Sequence, residues 1–175
     1  MALESFESKY HKKGVVISAV PLCHGIARLS GLDVKLVEGA TGELDTNYEG
    51  KAAAAVEALK NGYDFAAVHV EAPDECTHNG DLKGKLQAID WLDSRTVAPL
   101  TEALEKEGVD YRILILSDHK TLTSTRGHDG EAVPYLIYDS RADTGEGRGY
   151  TEAEGLEGPM YPDGAAAQMP LLFEQ

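Results

Sequence analysis

Five strand-sized apolar runs punctuate the chain, and they limit its fold more than any other feature: Gly14–Val20, Asp33–Val37, Asp64–Val70, Tyr111–Ser117 and Val133–Tyr138. The first, third and fourth are continuous rather than alternating, the pattern of strands covered on both faces. Asp33-Val-Lys-Leu-Val37 alternates, as a strand with one wetter face does. Pro134 is tolerated near the start of the last run. Helical segments separate these runs. Leu22–Leu29 is short, with Gly31 to end it, and Tyr48–Lys60 carries Ala52, Val56 and Leu59 on one stripe before Asn61-Gly62. The long segment Asp81–Glu107 places Leu82, Leu86, Ile89, Val97, Leu100 and Leu104 at helical spacing. Asn79 or Asp81 is suited to cap its start, Gly108 closes it, and Pro99 is expected to kink or break it. Helices alternating with buried strands predict an α/β fold, a layered sheet with helices on both faces. At 175 residues, one domain over 1–175 is expected. Its 140–164 stretch, rich in Gly and acidic residues, is read as irregular, ahead of a last apolar cluster, Met169–Phe173.

Charge narrows the partners. Thirty acidic residues stand against 16 basic ones, a formal net charge of -14. Such a surface repels phosphate backbones and anionic lipids, so neither nucleic acid nor membrane partners are expected. No apolar run approaches the roughly 18–20 residues that span a bilayer. The polar start, Met1-Ala-Leu-Glu-Ser-Phe-Glu7, is unlike a signal peptide, and Cys23 and Cys76 allow at most one bridge. A cytoplasmic address is expected.

Candidate chemistry concentrates in three segments beside strands, where α/β sheets gather ligands. Glu71-Ala-Pro-Asp-Glu-Cys-Thr-His78 follows the third run, and Ser117-Asp-His-Lys120 follows the fourth. Thr125-Arg-Gly-His128 precedes the fifth. They offer Asp74, His78, Asp118, His119 and His128. Imidazole nitrogen with carboxylate oxygen suits Zn²⁺ or Mn²⁺, and five such ligands are about right for most of two ions. Asp74 and His78 are four apart, so one helical turn brings them to one face. Asp118 and His119 are adjacent, so sharing an ion requires the chain to turn there. The remaining candidates read as structural: His69 as a hydrogen-bonded core residue, His11 and His24 as surface or capping residues, Cys76 as a small buried thiol and Lys51 as a solvated helix residue.

Val68-His-Val-Glu-Ala-Pro-Asp-Glu-Cys-Thr-His-Asn-Gly-Asp81, Leu116-Ser-Asp-His119 and His128-Asp-Gly-Glu-Ala-Val-Pro-Tyr135 resemble the cofactor-independent phosphoglycerate mutases. The likeness is to their archaeal-type branch, in the alkaline phosphatase superfamily. Gly39-Ala-Thr-Gly-Glu-Leu-Asp-Thr-Asn-Tyr-Glu-Gly-Lys51 shares it, which extends the similarity from about Phe6 to the C-terminus. The resemblance implies an alkaline phosphatase-like sheet and a phosphotransferase with two divalent ions, Mn²⁺ or Zn²⁺ or else Mg²⁺. One ion would be held by Asp74, His78 and His128, the other by Asp118 and His119 with an Asp and a nucleophilic Ser from near the family's N-terminus. That serine would move phosphate between the 3- and 2-positions of phosphoglycerate. The chain matches the family's C-terminal portion, and none of its own serines (Ser18, Ser117 or Ser124) fits the nucleophile. Alone it is therefore expected to be inactive, with a missing N-terminal half or a homo-oligomeric copy as partner. Lys120, where the family commonly has Pro, and Arg126 are the candidate phosphate contacts. A related phosphatase, a phosphonate-processing enzyme and a catalytically dead metal-binding module share the same ligands.

Overall fold

The computed structural model describes residues 3–142, 145, 147, 149–161 and 165–173. The 1–175 stretch, expected as one domain, divides by contact density into two compact units, Met1–Glu107 and Gly108–Gln175.

The first unit runs α1 (Phe6–Tyr10), β1 (Gly14–Ile17), α2 (Pro21–Leu29), β2 (Asp33–Lys35), α3 (Tyr48–Lys60), β3 (Phe65–Val68) and α4 (Ala72–His78). It continues through α5 (Leu82–Leu92), a π-helical segment (Asp93–Val97) and α6 (Ala98–Lys106). Its parallel sheet has the order β2-β1-β3, with Ile17 of β1 opposite Lys35 and Val68. Side chains alternate across a strand, so Val15 and Ile17 share one face, and both are buried. Ile17 packs on Ala54 and Ala55 of α3, whose missing bulk lets helix and sheet approach closely. Gly14 lies on the other face, where an added Cβ would collide with Leu32 and stand 3.1 Å from the Phe65 ring. Phe6 of α1 stacks on that ring with centroids 5.0 Å apart. Helical cover on both faces, as expected, is thus realised in this small sheet. Its order reverses between β1 and β3, and their carboxyl ends form the crevice where α/β sheets gather ligands.

Pro99 marks the break in the long helix. It has no N–H to donate, and in a regular α-helix a proline ring would crowd the carbonyl four residues earlier; the ladder widens into the π-helical segment just before it. Asp81 caps α5 by accepting from the Gly84 amide at 2.8 Å. The first half of the apolar stripe is turned outward: Leu82, Leu86 and Ile89 are 54%, 61% and 49% exposed, whereas Leu104 is buried and Leu100 packs against the Ile17 cluster. Gly84 and Ala88 face inward instead. The cause is close packing on α4, since a Cβ on Gly84 would sit 3.0 Å from the Cys76 sulfur. Tyr48 joins Ala72 and Ala88 in one buried cluster and so ties the start of α3 to α4 and α5.

The second unit contains β4 (Arg112–Leu116), β5 (Lys120–Leu122), β6 (Gly127–Asp129), β7 (Tyr135–Asp139), α7 (Glu152–Gly155) and α8 (Ala165–Phe173). β4 and β7 pair antiparallel, Arg112 opposite Asp139 and Leu116 opposite Tyr135. The five expected strands therefore do not form one sheet among the described residues; they divide between this pair and the parallel sheet. The β5–β6 hairpin has no counterpart among the five expected strands, because Lys120-Thr-Leu122 and Gly127-His-Asp129 are too short and polar to show a strand period. The apolar Met169–Phe173 cluster lies on α8. Within the stretch read as irregular, α7 forms a short helix, and residues 143, 144, 146, 148 and 162–164 lie outside the described residues. No helix among the described residues is long and apolar enough to cross a membrane.

Two measurements check this packing. Ile17→Ala should cost about 2–5 kcal/mol in urea unfolding, whereas Leu22→Ala, at a position 71% exposed, should stay within about 0.5 kcal/mol. In the second unit, hydrogen bonds from Arg141 and Arg112 hold the Asp139 carboxyl far below the usual carboxylate range. Its contribution is full above the unfolded value of about 3.9 and is lost as pH falls through the depressed folded value. Asp139→Asn should therefore flatten the acid limb of stability below about pH 4. Near-ultraviolet circular dichroism of the Tyr111–Tyr138 pair reads this.

Candidate functional site

The crevice at β1 and β3 holds a polar network. Ser18, directly after β1, is buried; its hydroxyl accepts from the Val20 amide at 3.0 Å and lies 3.0 Å from His69 Nδ1. Cys23 Sγ stands 3.9 Å from the same nitrogen. His24 Nε2 donates to the Ser18 carbonyl at 2.7 Å, which ties α2 back to β1. His69 is the hydrogen-bonded residue anticipated, although half-buried. Lys51 departs from expectation. It is 1% exposed, and its ammonium donates to the His69 carbonyl at 3.0 Å and the Thr41 carbonyl at 3.5 Å. Burial pushes its pKa below the ordinary lysine value, while nearby Glu71 opposes that shift. A lysine in an Ala- and Glu-rich helix reads as solvated, and only the docking of α3 on the sheet turns it inward.

Pro73 suits the first turn of α4, where its lacking N–H costs nothing, and buried Ala72 anchors that turn. One turn then brings His78 Nε2 to 3.2 Å from Asp74 Oδ2, with both side chains partly accessible. Glu71 and Glu75 join Asp74 in a group whose carboxylate oxygens lie within 4.8 Å of one another. The sequence reading passed over these two acids, although both stand in the Glu71-Ala-Pro-Asp-Glu75 run. Cys76 is buried, and burial pushes its thiol pKa up, in keeping with a packed thiol.

In the second unit the chain bends after β4. The His119 amide donates to Asp118 Oδ1 at 3.1 Å, and His119 Nε2 lies 3.4 Å from Asp118 Oδ2. The hairpin register sets Thr121 opposite His128, and the rings of His119 and His128 stack with centroids 3.7 Å apart. Asp118, His119 and His128 thus come together. Lys120 is engaged elsewhere: Glu131 and Glu152 lie 3.0 and 3.4 Å from its ammonium, and they raise its pKa. Arg126 takes a left-handed φ of 54° in the hairpin turn, its amide donating to the Leu122 carbonyl at 2.8 Å and its side chain exposed.

A family model described as the Metalloenzyme superfamily matches residues 2–158. The 2,3-bisphosphoglycerate-independent phosphoglycerate mutase of Methanosarcina acetivorans is 46% identical over 88% of this chain and 38% of its own length. A probable mutase of the same description from Geobacter sulfurreducens is 41% identical over 99% of this chain and 43% of its own. The chain spans less than half the length of these relatives. Among solved structures, the PH0037 protein from Pyrococcus horikoshii superposes with a TM-score of 0.85 at 32% identity, covering 97% of this chain and 50% of that one. A cofactor-independent phosphoglycerate mutase from Thermoplasma acidophilum shares the fold, with a TM-score of 0.56 at 21% identity over 91% of this chain and 35% of its own.

Ser18→Ala would leave the part-buried Val20 amide without its side-chain acceptor and remove a partner of His69. It should cost about 1–3 kcal/mol, read as a lower urea midpoint at unchanged slope.

Proposed function

This chain belongs to the Metalloenzyme superfamily, and we propose that it carries the metal-ligating residues of a phosphoglycerate mutase. The proposed ligands, for two divalent ions, are Asp74 and His78 on α4 and Asp118, His119 and His128 in the second unit. The observation that carries this reading is the α4 pair: a carboxylate and an imidazole one turn apart, 3.2 Å from each other and partly accessible. Nitrogen and oxygen donors of this kind fit Mn²⁺ or Zn²⁺ better than Mg²⁺, which prefers an all-oxygen shell. Ions bound there would clamp phosphate oxygens and activate an attacking hydroxyl.

The chain's own part is to present the ligands. Each Asp–His contact orients its imidazole, and a metal takes the unprotonated imidazole and carboxylate, so affinity should fall on acidification. The substrate is 3-phosphoglycerate, whose phosphoryl group passes to a serine oxygen and returns to the 2-oxygen of the same molecule. No serine of this chain is assigned that role. Ser18 is buried and bonded within the crevice, while Ser117 and Ser124 are exposed without a matching setting.

Mn²⁺ titration followed by electron paramagnetic resonance tests the assignment. The unaltered chain should bind Mn²⁺ and melt at a higher temperature when it does. Asp74→Ala with His78→Ala should weaken binding by about tenfold or more, and Asp118→Ala with His119→Ala should do the same. Titration curves unchanged by both double substitutions would sink the ligand set. With metal present, 3-phosphoglycerate should raise the melting temperature further, and an equal rise with p-nitrophenyl phosphate would point to a phosphatase instead.

A further inference from the structure

Lys51 is the least expected residue in the first unit. An ammonium removed from water is costly unless hydrogen-bonded, and long charged side chains seldom go fully inside. This one sits in the first turn of α3 next to buried Ala52, 1% exposed, and its bonding partners are two backbone carbonyls. Those carbonyls belong to separate segments at the carboxyl edge of the sheet. Thr41 lies in the loop leading into α3, and His69 begins the short link from β3 to α4. The ring of His69 is held separately by Ser18. Residue 69 is therefore fixed twice, by its side chain from β1 and by its carbonyl from α3. Two residues later comes Glu71, which opens α4, and a Cβ on Gly42 would lie 2.6 Å from the Glu71 carboxylate. The loop that Lys51 grips at Thr41 thus presses on the same turn that Lys51 grips at His69.

We propose that Lys51 is a positioning residue: its ammonium clamps the Thr41 loop to the β3–α4 link and so fixes the turn from which Glu71, Asp74 and His78 project. The functional part of this inference rests on the metal role assigned to Asp74 and His78. The clamp also places a cation beside an acidic group formed by Glu71, Asp74 and Glu75. Methionine at position 51 would keep the length and apolar packing of the stem while removing both the donors and the charge.

The test has two arms on the full chain. In the first, without metal, hydrogen–deuterium exchange compares the unaltered protein with Lys51→Met and Lys51→Arg. Lys51→Met should speed amide exchange about tenfold in residues 39–46 and 69–78 and leave 98–106 unchanged, with Lys51→Arg restoring slow exchange. Unchanged exchange, or a uniform rise across the first unit, would overturn the clamp. In the second arm, Mn²⁺ affinity should fall about 10–100-fold in Lys51→Met and recover in Lys51→Arg. Failure of the unaltered chain to bind Mn²⁺ would refute the metal reading, while the exchange arm decides the clamp by itself. Should Lys51→Met not fold, ¹⁵N-lysine NMR of the unaltered protein decides instead. A slowly exchanging ammonium resonance that vanishes in Lys51→Arg supports the clamp, and its absence from the unaltered protein overturns it.

Discussion

The first unit depends on the packing of β1 against α3. Ile17 is fully buried on Ala54 and Ala55, and this contact sets how deeply α3 lies on the sheet. A bulkier helix face would stand farther off, and Lys51 would then not reach the carbonyls of Thr41 and His69. The same helix delivers Tyr48 to the cluster with Ala72 and Ala88, which holds the beginnings of α4 and the middle of α5. Apolar contact and polar clamp are thus consequences of one docking event. The crevice at the ends of β1 and β3 is shaped by it.

Charge governs the second unit in a different way. β4 and β7 are apolar through their centres, but their ends are joined by Arg112 and Asp139, 2.6 Å apart, with Arg141 on the same carboxylate. Arg112 also donates to the Leu171 carbonyl of α8 at 2.8 Å. A single guanidinium therefore links two strands and a helix. In a chain of net charge -14, such pairings relieve local repulsion among acidic groups. Lys120 serves a comparable purpose between Glu131 and Glu152.

Much of this was legible from local pattern. Continuous β-branched runs announced the strands, helical spacing with Asn61-Gly62 and Pro99 announced the helix ends, and Asp-x-x-x-His needed only one turn of helix to become a facing pair. These features depend on neighbours within four residues, so the sequence contains what is needed to read them. Other features were illegible for the same reason. The β5–β6 hairpin lacks a period, and its two strands are defined by each other. The outward turn of Leu82, Leu86 and Ile89 follows from Gly84 meeting Cys76, a contact that spacing along α5 does not reveal.

By itself, then, the sequence determined the α/β class, the order of the main elements and the residue types able to bind a metal, because propensity, period and side-chain chemistry are local properties. Tertiary structure decided the rest. It split the strands between two units, placed Glu71 and Glu75 with Asp74, stacked His119 on His128 and drew Lys51 into the interior. Each of those outcomes depends on surfaces meeting across many residues of chain, where the closeness of packing settles which side chains face inward.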